Sequence, residues 1–359
     1  MQIGLNFLPT VGPDEVPASE YYAQCLDLCA VADDLGFAHV KVVEHYFYPW
    51  GGYSPDPVTF LTAVAARTRN VRLVTGAAVP AFTHPVKLAA KLAMLDNISG
   101  GRLDAGFGRA FLPLEFEAFG VPMAESRGRL QEGVTAIRRL WTESGFRWEG
   151  RFHRFGPLPR LLPVPVQQPC PPILIAATVA EESFTWAGTN GYHLMVIPIV
   201  ASHERLATLL DIYHRERAAA GHTDPARLHV SYHCYVAPDR SEAHDRAHAH
   251  FESYKRKQLD ALACWQDVTS SQYPGYEQMA AAVRRTTYDD LLAAGNVIVG
   301  DPTEVVQALE TVSQRYAGAE ASLHVRFGDI TPEEAMRSVT LLGTRVLPKL
   351  AGTGRTADR

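Results

Sequence analysis

The chain has 359 residues, with 34 Lys and Arg against 39 Asp and Glu for a formal charge of −5, and is 47% apolar and 20% charged. That apolar content supports a large buried core and excludes a disordered or collagen-like chain, while the slightly acidic balance, with no basic block, sets nucleic-acid partners aside. The length fits two ordinary domains or one α/β barrel, because such barrels routinely run past about 250 residues as a single unit. The opening MQIGLNFLPT has neither a basic n-region nor a cleavage site, and apolar runs such as LMVIPIVA at 194–201 fall short of the about 18 residues a membrane span needs. A soluble, cytoplasmic protein with no membrane partner is therefore expected. Five cysteines, at 25, 29, 170, 234 and 264, form no CxxC pair and are expected as free thiols, with no disulfide framework and no metal site.

The pattern along the chain is strand then helix, repeated. A strand at 2–8 precedes an amphipathic helix at 21–36 that stops at Gly36. Strand 39–45 precedes helix 56–70, with Pro57 in its first turn; strand 71–79 precedes helix 84–101; and strand 102–108 precedes a helix at about 126–143. FRWEGRFHRF (146–155) then predicts a hairpin around Glu149-Gly150, and the Pro-rich stretch 156–172 an irregular excursion. Strand 172–178, helix 180–191, strand 192–199, helix 203–220, strand 228–236 and a helix over about 240–263 follow. The polar, turn-rich 264–295 segment is expected as a mobile lid, before helix 302–317, strand 321–327 and helix 332–350. Eight such units predict one (β/α)8 TIM barrel over 1–350, with insertions after its fourth and seventh strands and a flexible tail at 351–359. The glycines at 106 and 108 lack the third small residue of a dinucleotide fingerprint, and there is no phosphate P-loop.

In a barrel, reactive groups come from the C-terminal ends of strands. That rule selects Asn6, Glu44-His45, Ala77-Ala78, Gly108-Arg109 and Ala177-Thr178. His45 stands out because an imidazole exchanges protons near neutral pH. Tyr46, Phe47, Trp50, Phe111 and Tyr192 are candidates to line an apolar substrate pocket. His233 is a weaker candidate, and His244, His248 and His250 read as a solvated helix face without metal-ligand spacing.

Five stretches, taken in order, carry a likeness over residues 1–350: GFAHVKVVEHYF (36–47), VTGAAVPAFTHPVKLA (74–89), DNISGGRLDAGFGRAF (96–111), PPILIAATVAEESFTWAG (171–188) and VGDPTEVVQAL (299–309). Together they resemble the bacterial luciferase-like flavin-dependent monooxygenases, most closely members found in natural-product biosynthesis. The resemblance implies a monooxygenase that takes reduced FMN from a separate flavin reductase and uses dioxygen to put one oxygen atom into an organic, secondary-metabolite substrate. It assigns His45 as proton donor or acceptor beside the flavin, a non-prolyl cis peptide at Ala77-Ala78 as the floor under the ring, and Arg109, Thr178 and Ser183 as phosphate ligands. A guanidinium fork suits a phosphate, as do the free N–H groups of a helix start. The resemblance also implies a homodimer. Gly108 and Ile199 stand where the light-emitting subunit has a reactive Cys and a Trp, which argues against light emission. Two alternatives stay open: a deazaflavin-dependent hydride-transfer enzyme on the same barrel, and a non-catalytic flavin-binding partner subunit.

Overall fold

The computed structural model of the chain describes residues 1–352, so the expected tail lies, from residue 353 on, outside the described residues. Eleven strands and thirteen α-helices follow in order. The first half runs β1 (Ile3–Phe7), α1 (Ala18–Asp34), β2 (His39–Val42), α2 (Pro57–Arg67), β3 (Arg72–Thr75), α3 (Pro85–Ser99), β4 (Leu103–Phe107), α4 (Pro113–Ala118), α5 (Ser126–Thr142), β5 (Phe146–Glu149), β6 (Arg154–Leu158), β7 (Ile173–Ala176) and α6 (Glu181–Thr189). The second runs β8 (His193–Val196), α7 (His203–Ala219), β9 (Leu228–Val236), α8 (Arg240–Leu262), α9 (Met279–Arg285), α10 (Tyr288–Ala293), β10 (Val297–Gly300), α11 (Pro302–Arg315), β11 (Glu320–His324), α12 (Pro332–Leu341) and α13 (Leu347–Gly352).

Parallel pairing runs β1-β2-β3-β4-β7-β8-β9-β11 and returns to β1, which closes the expected eight-stranded barrel. Local sequence starts several of the surrounding helices: Asp56, Asp301 and Thr331 cap α2, α11 and α12 with their side chains, each directly before a proline. β5 and β6 form the predicted antiparallel hairpin, with Glu149 opposite Arg154.

Three expectations need correction. A ninth parallel strand, β10, which was not expected, extends the sheet beside the upper half of β9. The 264–295 segment is not a bare loop but carries α9, α10 and two 3₁₀ turns. His250 is not on a solvated face: it is buried between Asp329, 2.6 Å away, and Glu334, 3.4 Å away. All five cysteines are free. Among the described residues no helix is long and apolar enough to cross a membrane.

Alternation along each strand sorts its side chains. Ile3, Leu5, Phe7, Val40, Leu73, Leu103, Ala105 and Phe107 join the large core under the helices. The other set carries charge at the N-terminal end of the barrel. There Asp104, fully buried, takes both Arg72 (2.6 and 2.9 Å) and Arg227 (2.9 Å twice) as paired donors. Arg227 also reaches Glu320 at 3.1 Å, which lies 3.3 Å from His39, and the Lys41 ammonium donates to Ser231 at 2.6 Å. Burial pulls the Lys41 ammonium down to about 7. A small apolar cluster of Val74, Leu174 and Met195, with Ala77 and Ala176 packed on it, lies inside the barrel. The mouth is thus supported from below by this charged network and the apolar cluster above it.

Candidate active site

The loop after β2 is tied into one shape by its own backbone. Ser54 donates through its hydroxyl to the Val43 carbonyl (2.6 Å), the His45 N–H donates to the Ser54 carbonyl (3.1 Å), and Gly51 donates to Pro9 (2.6 Å). His45 then stands with its ring 5.2 Å from Trp50 and edge-on to Phe111 at 5.7 Å. Its Nδ1 lies 3.1 Å from the carboxylate of Glu115, a buried residue of α4. Beside it the Glu44 carboxylate accepts from the Tyr46 hydroxyl (2.7 Å) and the Val79 N–H (2.9 Å), and burial raises it to about 7. Glu44 therefore ties the β2 loop to the segment that follows β3.

That segment contains a non-prolyl cis peptide, at Gly76–Ala77 and so one bond before the expected position. Space is short around it: a Cβ on Gly76 would come 2.3 Å from Lys41 Cγ, and one on Gly108 would come 2.9 Å from Ala77 Cβ. Ala77 is half-buried at the mouth. Ala78 is fully buried, donating its N–H to Gly106 and accepting from Gly108. Of the two alanines expected against the flavin, only Ala77 presents a side chain, because the bridge to β4 turns Ala78 into the core.

Past β4, a cavity of ≈ 890 Å³ opens between the ends of β4 and β7, α5, α6 and the 264–295 segment. Arg109, Thr178 and Ser183 all line it, so expected residues from two distant stretches of the chain meet. The Arg109 guanidinium sits under the Tyr273 ring, 4.3 Å from its centre, and donates through Nη2 to the Gln272 carbonyl at 2.9 Å. Its Nη1 is buried and unpartnered, an arrangement that leaves a strong donor free for an anion. Arg127, which sequence reasoning missed, adds a second cation to the cavity, with Nη1 3.4 Å from the Ser183 hydroxyl. Nothing around its position at the start of α5 marks it in sequence.

The five expected pocket aromatics divide. Trp50 and Phe111 join His45. Tyr46 packs with Phe47, Phe82 and Phe119 in a separate outer cluster, and Phe47, at φ 71° and 59% exposed, faces solvent. Neither lines the space beside His45, because the loop turns at Phe47. Tyr192 precedes β8, at the end of the strand opposite the mouth, and packs in the core against Trp186. It is no part of the site. The aromatic wall is completed instead from the 264–295 segment, where Tyr276 lies 6.1 Å from Phe111 and packs in turn against Trp265, tilted, and Tyr273, edge-on. The Tyr273 hydroxyl donates to the Ala110 carbonyl and pins this segment over the β4 loop. His233 is enclosed by Tyr254, Phe327 and His324, away from the cavity.

Among the described residues, His39, His229 and Glu320 form a cluster with metal-like spacing. It lies at the closed end of the barrel, and the Arg227 guanidinium already occupies it, 3.1 Å from Glu320 and 3.3 Å from His229. That cation takes the place an ion would need.

Fold and mouth together define a parallel (β/α)8 barrel with a large, arginine-lined cavity beside a part-buried imidazole and a buried carboxylate. The chain belongs to the luciferase-like monooxygenase family, whose sequence profile it matches over residues 1–319. It is 32% identical over 232 residues to the oxygenase component of the flavin-dependent trigonelline monooxygenase of Acinetobacter baylyi, a match that covers 64% of this chain and 63% of that protein, less than two thirds of its length. It is 44% identical to the monooxygenase RslO1 of Streptomyces bottropensis, whose crystal structure superposes with a TM-score of 0.85 over 98% of this chain and 100% of that one. The oxygenating constituent of 3,6-diketocamphane monooxygenase of Pseudomonas putida, solved with FMN, shares the fold at 21% identity, with a TM-score of 0.80 over 97% of this chain and 98% of that one.

Proposed function

We propose that this protein is the oxygenase of a two-component system: it takes reduced FMN from a separate flavin reductase and uses dioxygen to insert one oxygen atom into an organic, secondary-metabolite substrate. The observation that carries the reading is the unpartnered Nη1 of Arg109 in a cavity that also holds Arg127, Thr178 and Ser183. Two guanidinium groups, two hydroxyls and the start of α6 suit a phosphomonoester. The names of the A. baylyi and S. bottropensis relatives, an oxygenase component and a monooxygenase, support the same reading.

In this reading Arg109 and Arg127 hold the FMN phosphate, the Gly76–Ala77 backbone supports the ring, and the bound cofactor supplies the electrons that activate dioxygen. The chain supplies position, proton transfer and dryness. His45 moves the proton through Nε2. Trp50, Phe111 and Tyr276, set edge-on to one another, form an apolar wall beside His45 that suits a ring-containing substrate.

The test mixes the protein with chemically reduced FMN and air, in parallel with a reduced deazaflavin under argon, against a panel of aromatic substrates. Oxygenated product only in the first arm supports the proposal; hydride transfer in the second replaces it. Neither reaction, with activity restored by a second polypeptide, supports the partner-subunit alternative.

Arg109→Ala supplies a direct check of the cavity. Charge-assisted hydrogen bonds contribute about 1.5–3 kcal/mol each, so FMN is expected to bind about 10–100-fold more weakly, with Arg109→Lys in between. Riboflavin, which has no phosphate, should bind equally to all three proteins in fluorescence titrations. An equal loss for riboflavin would place the phosphate elsewhere.

A further inference from the structure

Glu115 lies 70 residues from His45 in sequence, yet its carboxylate is the nearest charged group to the imidazole. Oε1 lies 3.0 Å from the Tyr46 backbone nitrogen and 3.1 Å from His45 Nδ1. A carboxylate oxygen can only accept, so against the Glu115 carboxylate, which already takes the Tyr46 N–H, Nδ1 carries the hydrogen that points at Oε1. Among the described residues nothing is hydrogen-bonded to Nε2. We propose that Glu115 is a positioning residue: it holds His45 in the Nδ1–H tautomer and leaves the Nε2 lone pair as the free, proton-accepting nitrogen at the mouth.

The surroundings favour the same assignment. Glu115 is 1% exposed, and a buried carboxylate needs both hydrogen bonds and a compensating charge. The groups that face it are Glu44, Tyr46 and Tyr48 from the β2 loop and Cys264 from the start of the lid, all acidic or neutral. His45 is the one side chain among the described residues within ion-pair distance that can become a cation. When Nε2 accepts a proton, the imidazolium that forms faces a carboxylate already in place. The ring has little freedom to choose otherwise: Trp50 and Phe111 flank it, and a Cβ on Gly51 would come 2.5 Å from His45 Cβ. The hydrogen bond on one ring nitrogen then decides which tautomer the other presents.

The catalytic consequence rests on the monooxygenase reading above, but the tautomer does not, and the test separates them. In protein labelled with ¹⁵N-histidine, the signal lost in His45→Asn is that of His45, and its one- and two-bond ¹H–¹⁵N pattern reports the tautomer. The native chain and Glu115→Gln, whose amide oxygen still accepts, are expected to show Nδ1–H, and Glu115→Ala mainly Nε2–H. In turnover, Glu115→Ala is expected to lower product per dioxygen consumed by about 10-fold or more, the scale typical of an orienting partner. Glu115→Gln should restore most of it. In a His45→Ala background Glu115→Ala should add nothing, since a residue that acts through His45 has nothing left to act on. An Nε2–H tautomer in the native chain, or losses that add in the double variant, overturns the proposal. A tautomer that follows Glu115 in a protein that forms no oxygenated product from reduced FMN and dioxygen upholds the positioning role and removes the monooxygenase reading alone.

Discussion

His45→Ala is expected to leave FMN affinity within about two-fold and to cut turnover to oxygenated product by about 100-fold or more, the range a positioned acid or base contributes. Dioxygen consumption should continue, with hydrogen peroxide released in place of product. The two effects separate because His45 and the arginine-lined cavity are different pieces of the mouth. His45 stands on the β2 loop among Trp50, Phe111 and Glu115, whereas Arg109, Thr178 and Ser183 line the cavity between β4 and β7. The measurement is peroxide and product per dioxygen consumed, together with flavin titration. Unchanged coupling would remove His45 from the chemistry; a parallel loss of flavin affinity would make it a binding residue instead.

The second large effect is on stability and comes from the other end of the barrel. Asp104 is fully buried and accepts from two arginines. Asp104→Ala would leave Arg72 and Arg227 facing each other without their shared counter-charge. Breaking a buried pair in this way costs about 3–5 kcal/mol, which corresponds to a fall in Tm of about 4–7 °C for a chain of 359 residues. Thermal unfolding followed by circular dichroism measures it, and riboflavin affinity below the transition should be unchanged. A fall of less than about 1 kcal/mol, the scale of a surface ion pair, would show that the network is worth no more than one.

The same network sets an acid limit. Burial alone would raise the Asp104 and Glu320 carboxyls, but Arg72 and Arg227 at Asp104, and His39, His229 and Arg227 at Glu320, outweigh it and hold both low. Glu320 reaches about 2 against an ordinary value of 4.5. A carboxylate depressed in the folded state contributes stability above its unfolded value and loses it as pH falls toward the folded one. Stability should therefore decline from about pH 4.5 toward pH 2, and the decline should be shallower in Asp104→Ala, which has already lost one of the two groups. An equal slope in both proteins would show that Asp104 is not a source of the acid sensitivity.

Much of the fold could be read from the chain because its signals are local. Strands buried on both faces read as short apolar runs, and helices announce their starts, as Asp56-Pro57 and Thr331-Pro332 do. His45 and Arg109 could be singled out as candidates because a barrel puts chemistry at strand ends and both lie within three residues past one. Glu115 was invisible: α4 is a six-residue helix, and its value lies in a contact across 70 residues. Tyr273 and Tyr276 hid in a segment whose composition reads as loop, and Tyr192 was misplaced because a strand's first and last residues look alike in sequence. Phe47 and Ala78 were misassigned for a related reason, since neither the turn of a loop nor the side of a bridge is written in residue type.

The sequence by itself determined the alternating strand–helix order, the single-barrel architecture and the strand-end residues His45, Arg109 and Thr178. Local apolar spacing, caps and turn residues specify each unit whatever the rest of the chain does. Only the tertiary structure decided which groups face one another: Glu115 against His45, Arg127 beside Arg109, Tyr273 over Arg109, and Arg227 on Asp104 across 123 residues. Those pairings depend on how the sheet closes and on the register each strand takes with its neighbours, and closure is a property of all eight strands together.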